Sequence, residues 1–286
     1  MTLDLSALLN DWPYEPGQLN VRLIEGDDGK PKVQMRVDLG LLQMEVFGRP
    51  DGQQPEGRES LLEFHEMRID DAMDGLGGAN GPQTDQASGD LAGSDAGPMA
   101  GGLADHDDED DEGIPGDAVL TSDDCRQLRE EAVQYYHRYI SLLVLGDYDG
   151  VVRDTTRNMR VIDLCEQYAE EEDDREMLAQ FRPFIAMMRT RALASQMLSL
   201  DEPAAALVLI DVGINEVRDI YEAADRLEAF EDSHEAQLLR GMRAELAKKL
   251  PASQRSELKR RLEEALKAEN YELAAILRDE LRMLKD

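Results

Sequence analysis

Positive charge and aromatic residues are scarce in this chain. It has 31 Lys and Arg against 62 Asp and Glu, a formal net charge of −31. That balance argues against general binding to phosphate backbones or anionic lipid, because both depend on clustered Lys and Arg. Aromatic residues make up only 5% of the 286 residues, with Trp12 the sole tryptophan. The core must therefore consist mainly of Leu, Ala, Met and Val, which suits packed helices better than a β-sandwich.

Cysteines and long apolar runs are equally few. Cys125 and Cys165 are the two cysteines, and neither belongs to a CxxC pair. The spacing therefore predicts neither a disulfide framework nor a zinc site, and we expect reduced, partly buried thiols. The longest apolar run, AAALVLI at 204–210, is far shorter than a membrane span, and the first residues lack the basic and apolar regions of a signal peptide. We expect a cytoplasmic protein.

Residues 1–70 are predicted to form a small β-rich unit. Alternating apolar and polar residues predict a three-stranded meander with turns at EGDDGKP and RPDGQ, followed by a short helix through ESLLEFHEM. So few residues seldom hold a core alone, so we expect the meander to dock on helices, with Trp12 and Tyr14 as anchors. A partner-binding edge strand is the alternative. The residues expected on the inner face of the meander are Val33, Met35, Val37, Leu39, Leu42, Met44 and Val46.

Residues 71–124 are predicted to form a disordered acidic linker. They contain no Lys or Arg, 15 acidic residues, many glycines and the run DHDDEDDE at 105–112. Such a segment has too little apolar surface to offset the entropy of ordering it. One hypothesis is that it folds back on the basic C-terminal segment and inhibits it.

Residues 125–250 carry nearly continuous helical patterning. We predict helices near 125–145, 148–170, 175–200, 203–229 and 233–250, stacked as helical hairpins. At one turn Gly146 suits the left-handed position after a helix, and Asp147 suits the cap of the next. At the other, Asp201 or Glu202 is the candidate cap before Pro203. The turns resemble those of tetratricopeptide repeats, although they lie 55 residues apart, well beyond the usual period. The predicted fold class is mainly α with a small N-terminal β-meander.

Residues 251–286 are predicted to form a final helical hairpin. Leu258, Leu262, Ala265 and Leu266 form an apolar stripe on its first helix, and Asn270 repeats the capping role of Asp147. The second helix has a stripe at Tyr271, Ala274, Leu277, Leu281 and Leu284, and a further apolar side widened by Leu273, Ile276 and Met283. A hairpin this small cannot bury all of that surface within itself, so another element or another molecule should cover it.

The segment LEEALKAENYELAAILRDELRML, residues 262–284, resembles the UVR motif, a helical hairpin found in UvrB, UvrC, ClpC and McsA. The resemblance lies in an aromatic residue followed by Glu-x-Ala-Ala-x-Leu-Arg-Asp, here Tyr271 to Asp279. It implies that this hairpin pairs with a homologous hairpin through matched apolar stripes, as in a coiled coil, with Arg278 and Asp279 adding charge-assisted register. The residues predicted to bind the partner are Leu262, Leu266, Tyr271, Leu273, Ala274, Ala275, Leu277, Arg278, Asp279, Leu281 and Leu284.

The rest of the chain departs from those proteins. It has no GxxxxGK[ST] loop as a repair helicase requires, no nuclease domain and no paired CxxC zinc sites. The resemblance therefore places it among bacterial proteins that attach a UVR hairpin to a helical body. The alternative is that the hairpin is simply the last pair of helices in the stack.

Motifs for chemistry are incomplete. The HE dipeptides at His65 and His234 lack a second histidine four residues on, and Val119 occupies the position where a calcium loop at 108–119 needs Glu. We therefore predict no metal, no cofactor and no enzymatic activity. A possible peptide-binding groove is predicted at Tyr135, Tyr136, His137 and Tyr139.

The leading hypothesis is a non-enzymatic scaffold or adaptor, whose protein partner is another copy, a repair component or a protease factor. The alternative is a nucleic-acid-repair accessory protein that contacts phosphates through its one base-rich segment. The residues that would do so are Lys248, Lys249, Arg255, Lys259, Arg260 and Arg261.

Overall fold

The protein is mainly α-helical with one small antiparallel sheet, as predicted. The computed structural model describes residues 4–77, 115–249, 254–268 and 270–283. They fall into two compact units, Met1–Arg182 and Pro183–Asp286. The four regions with boundaries at 70, 124 and 250 stay a prediction, and most of the predicted acidic linker lies outside the described residues. Within the described ranges, no helix combines the length and apolar content needed to cross a membrane.

Helices dominate both units. Those of the first unit are α1 (Ser6–Asp11), α2 (Leu61–Gly77), α3 (Ser122–Leu145), α4 (Tyr148–Tyr168) and α5 (Glu172–Met177). The others are α6 (Arg182–Ser199), which starts at the boundary, then α7 (Pro203–Ala223), α8 (Leu227–Phe230), α9 (His234–Lys249), α10 (Gln254–Lys267) and α11 (Tyr271–Met283).

The N-terminal sheet is the predicted meander. Its strands are β1 (Asn20–Glu25), β2 (Pro31–Val37) and β3 (Gly40–Glu45), in the order β1-β2-β3. Val33 pairs with Met44, and both are buried beside Met35 on one face. The inward position predicted for Leu39 is wrong: β2 ends at Val37, which pairs with Gly40. Leu39 is therefore in the two-residue turn between them, where it is 89% exposed.

The opposite face of the sheet is polar yet covered. Gln34 accepts a hydrogen bond from Arg22 Nε and donates one to Gln43, both at 2.8 Å, so side chains from three strands lie across the face. The Arg22 guanidinium stacks on the Trp12 ring, 4.2 Å from its centroid, and Arg36 Nε donates to the Trp12 carbonyl at 2.8 Å. The predicted anchor Trp12 thus packs on the sheet itself.

The sheet docks on the helices through buried arginines. Arg138 on α3 forms a two-pronged ion pair with Asp154 on α4, with N–O distances of 2.7 and 2.8 Å, and both side chains are at most 1% exposed. The same guanidinium donates to the carbonyl oxygens of Glu45 and Gly48 at the end of the sheet. Arg153 donates to the carbonyl of Val46 at 2.9 Å. These bonds confirm that the meander docks on helices.

A second buried charge, Glu131 on α3, joins three elements. One of its oxygens accepts a hydrogen bond at 3.0 Å from the amide of Leu61, the first residue of α2, and thereby satisfies a donor that the helix itself cannot. The other oxygen pairs with Arg157 on α4. The Tyr135 ring lies beside the guanidinium groups of Arg138 and Arg157, whose central carbons are 4.7 and 4.1 Å from its centroid. Burial lowers the pKa of Arg157 to about 9.

The turn between α3 and α4 forms as predicted. Gly146 adopts the left-handed conformation with φ 79°, and the Asp147 carboxylate accepts a hydrogen bond from the Gly150 amide at 3.0 Å. The cap predicted before Pro203 is only partly right. Glu202 holds the capping position without a side-chain hydrogen bond, and Asp201 has φ 60°.

Two of the predicted helices are each divided into two in the structure. The segment 175–200 is divided: α5 ends at Met177, a 3-10 turn covers Ala179–Phe181, and α6 resumes with Pro183 in its first turn, where the missing amide costs nothing. The segment 203–229 is divided where Asp225 takes a left-handed conformation with φ 53° after α7.

The helices α6 and α7 approach closely at Gly213. A Cβ atom placed on Gly213 would overlap the Thr190 side chain of α6, so only glycine permits this distance between the helices. An ion pair between Arg189 and Glu216 flanks the contact. On its other side, α7 is linked to α9 by Arg243 and Asp211, with an N–O distance of 2.5 Å.

Candidate functional site

The terminal helices α10 and α11 form a hairpin around a short turn. The amide of Asn270 donates to the carbonyl of Ala265 at 2.8 Å, which closes the turn. The Asn270 side-chain oxygen then accepts a hydrogen bond from the Leu273 amide at 3.1 Å and caps α11. Asn270 therefore has the capping role predicted from its likeness to Asp147.

Replacing this cap should loosen the hairpin. Asn270→Ala removes the acceptor for the Leu273 amide and should cost about 1 kcal/mol, the usual value of an N-cap. The change should lower helical signal and speed amide exchange at residues 271–274, as measured by hydrogen exchange. Asn270→Asp retains an acceptor and serves as the control. Equal exchange in Asn270→Ala and the unaltered chain would show that the cap does not stabilise α11.

Small side chains form the interior of the hairpin. Ala265 on α10 and Ala274 and Leu277 on α11 are 4%, 6% and 2% exposed, and half-buried Leu262 packs against them. The two alanines allow the helices to approach closely, as small residues do in tight helix packing. This core is narrow and holds only part of the apolar surface that the sequence supplies.

The remaining apolar side chains of the hairpin are at its surface. Tyr271 is 69% exposed, Ile276 58%, Leu266 50% and Leu273 37%. Leu273 and Ile276, three residues apart, lie on the same side of α11. Ile276 is outside the predicted set of partner-binding residues, although its spacing from Leu273 in the sequence indicates that it extends the same surface.

The other predicted partner-binding residues are placed as follows. Ala275 and Arg278 are exposed on α11, while Ala274 and Leu277 are interior. The side chains of Asp279 and Leu281, and the whole of Leu284, lie outside the described residues. The predicted set thus combines residues that hold the hairpin together with residues that it presents at its surface.

Basic side chains lie on α10. Lys259, Arg260 and Arg261 are consecutive and exposed. Arg260 pairs with Glu264 one turn later at 2.6 Å, so part of this positive charge is compensated within the helix. The predicted phosphate-contacting residue Lys248 is exposed on α9, and the side chains of Lys249 and Arg255 lie outside the described residues.

The tyrosines of the predicted groove separate into buried and exposed residues. Tyr135 and Tyr139 are 5% and 1% exposed, and burial raises the pKa of both phenols. Tyr136 remains 37% exposed and packs edge-on against half-buried His137, whose pKa is lowered by burial. Only Tyr136 and His137 are therefore available at this surface, and the groove stays a prediction.

The candidate chemical motifs of the sequence form no metal-binding cluster within the described ranges. There, no cluster of three or more His, Cys, Asp or Glu is suited to hold a metal ion. His65 is 3% exposed, 4.0 Å from Asp124, and its pKa is lowered by burial. The first unit has an open cavity of about 630 Å³, lined by Phe64, Met67, Arg68 and neighbouring residues of mixed charge.

Comparison with known families assigns the hairpin. Residues 253–286 match the UVR family, described as the UvrB/uvrC motif, which agrees with the resemblance seen in the sequence. The chain as a whole matches no curated protein and no solved structure.

Proposed function

We propose, on the premise that residues 253–286 are a UVR hairpin, that this protein is a non-enzymatic scaffold or adaptor. The hairpin pairs with a homologous hairpin, on a second copy of the chain or on another UVR-containing protein. The α3–α4 pair and its docked sheet then form the body that the hairpin brings to its partner.

The observation that carries this proposal is the mismatch between the core of the hairpin and its apolar surface. The interior holds Ala265, Ala274 and Leu277, whereas Leu266, Tyr271, Leu273 and Ile276 remain at least one-third exposed. Full burial of a Leu or Ile side chain lowers the free energy by about 1.5–3 kcal/mol, so contact between this surface and another apolar surface is favourable. A second hairpin offers a matching surface of the same composition.

Polar replacements on this surface should weaken pairing without unfolding the hairpin. The double variant Leu273→Ser with Ile276→Ser removes exposed apolar area and leaves the interior residues intact. We expect the dissociation constant to rise by about 10-fold to 100-fold, since each 1.4 kcal/mol lost is a factor of ten. Light scattering across a concentration series measures the effect on self-association.

A matched control distinguishes hairpin pairing from nonspecific hydrophobic association. Val208 and Val212, one turn apart on α7, are 61% and 57% exposed, comparable to Ile276. The variant Val208→Ser with Val212→Ser should leave the association unchanged. If the unaltered chain is a monomer throughout, the pairing partner is on another protein, and titration with a UVR hairpin peptide replaces light scattering. Equal association of the hairpin variant and the unaltered chain would contradict the proposal.

A second candidate function is supported by the exposed basic side chains on α10. Lys259, Arg260 and Arg261 are suited to contact phosphates in a DNA-repair assembly. Binding of that kind falls steeply as salt rises, because each phosphate contact releases a counterion. Hairpin pairing through apolar side chains should instead change little between low and moderate salt. Salt dependence of DNA binding, compared between the unaltered chain and Lys259→Ala with Arg261→Ala, separates the two.

A further inference from the structure

The helices α3 and α4 lie antiparallel in a fixed register. Arg138 is paired with Asp154, and further along the helices the Asn158 side-chain amide donates to the carbonyl of Ala132 at 2.9 Å. At the far end, the Leu120 amide donates to the Tyr168 carbonyl at 2.7 Å, just before α3 and at the end of α4. These contacts align the helices from Arg138 and Asp154 to the start of α3 and the end of α4.

That register places the two cysteines opposite each other. Seven residues before Ala132 is Cys125, and seven residues after Asn158 is Cys165. A step of seven residues is almost two full helical turns, so each position returns to the same side of its helix. Both cysteines are 0% exposed, and the two thiols are close enough for each to shift the pKa of the other. The chain has no other cysteine.

The two thiols are chemically unequal. The interaction between the two thiols lowers the pKa of Cys125 and raises that of Cys165. Cys125 also lies in the first turn of α3, where the helix dipole favours a thiolate. Burial and the carboxylates of Asp174 and Asp124 raise the pKa of Cys125, and the charge of Arg129 lowers it, but the effect of Cys165 is the largest and the net shift is downward. Cys125 is therefore the better nucleophile, and Cys165 is positioned to react with it.

We propose that Cys125 and Cys165 are a redox modification site, which closes to an intramolecular disulfide when a hydroperoxide is the oxidant. The Cys125 thiolate attacks the terminal peroxide oxygen, the O–O bond breaks, and Cys125 becomes a sulfenic acid as the alkoxide leaves and takes up a proton. The Cys165 sulfur then attacks the Cys125 sulfur, and water leaves as the S–S bond forms. The two thiols lose two electrons, and the peroxide gains them.

The disulfide would tie the start of α3 to the end of α4, where backbone hydrogen bonds already hold the chain at Leu120. It would close a loop of about 40 residues and thereby reduce the conformational entropy of the unfolded chain. Because both sulfurs are buried, the oxidant reaches them during local openings of the helix ends. Formation of the disulfide should therefore be slower than oxidation of an exposed thiol.

The test is to treat the full chain with hydrogen peroxide under native conditions and measure its intact mass and free thiols. We expect a loss of about 2 Da, loss of both thiols, and a Cys125–Cys165 cross-linked peptide on non-reducing digestion, all reversed by dithiothreitol. In Cys165→Ser, dimedone should trap a sulfenic acid at Cys125, and in Cys125→Ser it should label Cys165 several-fold less.

Two outcomes would overturn the proposed disulfide, and a third would overturn the order in which the two cysteines react. One is that both thiols remain free after treatment with hydrogen peroxide. Another is that a non-reducing gel shows disulfides only between chains. The third is equal dimedone labelling of the two single variants, which would remove the assigned order of attack. A melting temperature that rises on oxidation in the unaltered chain, but not in either variant, would support the predicted constraint on α3 and α4.

Discussion

Replacement of Asp154 by alanine is expected to destabilise the first unit by about 3–5 kcal/mol, the usual cost of breaking a buried ion pair from one side. Asp154 is fully buried and accepts two hydrogen bonds from Arg138, which is itself 1% exposed. Without the carboxylate, a guanidinium remains in the interior with only carbonyl oxygens as acceptors. The free energy of unfolding, measured with urea and followed by circular dichroism, gives the size of the loss.

A control on the same helix isolates the effect of burial. Asp163 also pairs with an arginine, Arg182, but its side chain is 59% exposed. Asp163→Ala should cost only about 0–1 kcal/mol, as exposed ion pairs do. The double variant Arg138→Met with Asp154→Leu should recover much of the stability by removing both charges together. A loss at Asp154 no larger than that at Asp163 would mean that the buried pair does not hold the unit together.

Replacement of Gly213 by alanine is expected to destabilise the second unit by about 1–3 kcal/mol, the range for overpacked sites. In most helix interiors the same change is stabilising, because alanine has the higher helix propensity. Here the new methyl group would overlap the Thr190 side chain, so α6 and α7 must separate. Urea unfolding of this unit, followed by hydrogen exchange at residues on both helices, measures the change.

Gly241 on α9 provides the matched control. A Cβ atom placed there meets no atom within 4 Å, so Gly241→Ala should stabilise the protein by about 0.5–1 kcal/mol. Thr190→Ala in the Gly213→Ala background should recover part of the loss by making room. If both glycine variants changed stability in the same direction, the close approach of α6 and α7 would not be what Gly213 provides.

The sequence predicts well wherever a local rule determines the structure. The turn at Gly146 and Asp147 follows from a single left-handed residue and a single cap. The hairpin cap at Asn270 follows from the same reasoning. Apolar alternation places Val33, Met35 and Met44 correctly because the strand has a period of two.

The sequence predicts poorly where packing between distant segments decides the outcome. No helical pattern marks Glu131, Arg138 and Asp154 as core residues, since charged residues are rarely buried. Their burial depends on partners in another helix and on carbonyls of a sheet about 90 residues earlier, which no single-helix pattern contains. For the same reason, exposure at Leu273 and Ile276 is not fixed by their apolar character.

The arginines that hold the N-terminal sheet contact it through main-chain oxygens. Arg138 and Arg153 donate to the carbonyls of Glu45, Val46 and Gly48, and every amino acid presents the same carbonyl. Sequence drift at these three strand-end positions therefore leaves the acceptors in place, whereas drift at either arginine removes a donor. The docking bonds thus do not depend on which side chains occupy the sheet side of this junction; those side chains are constrained instead by the burial of Val46 and by the left-handed backbone of Gly48, with φ 67°.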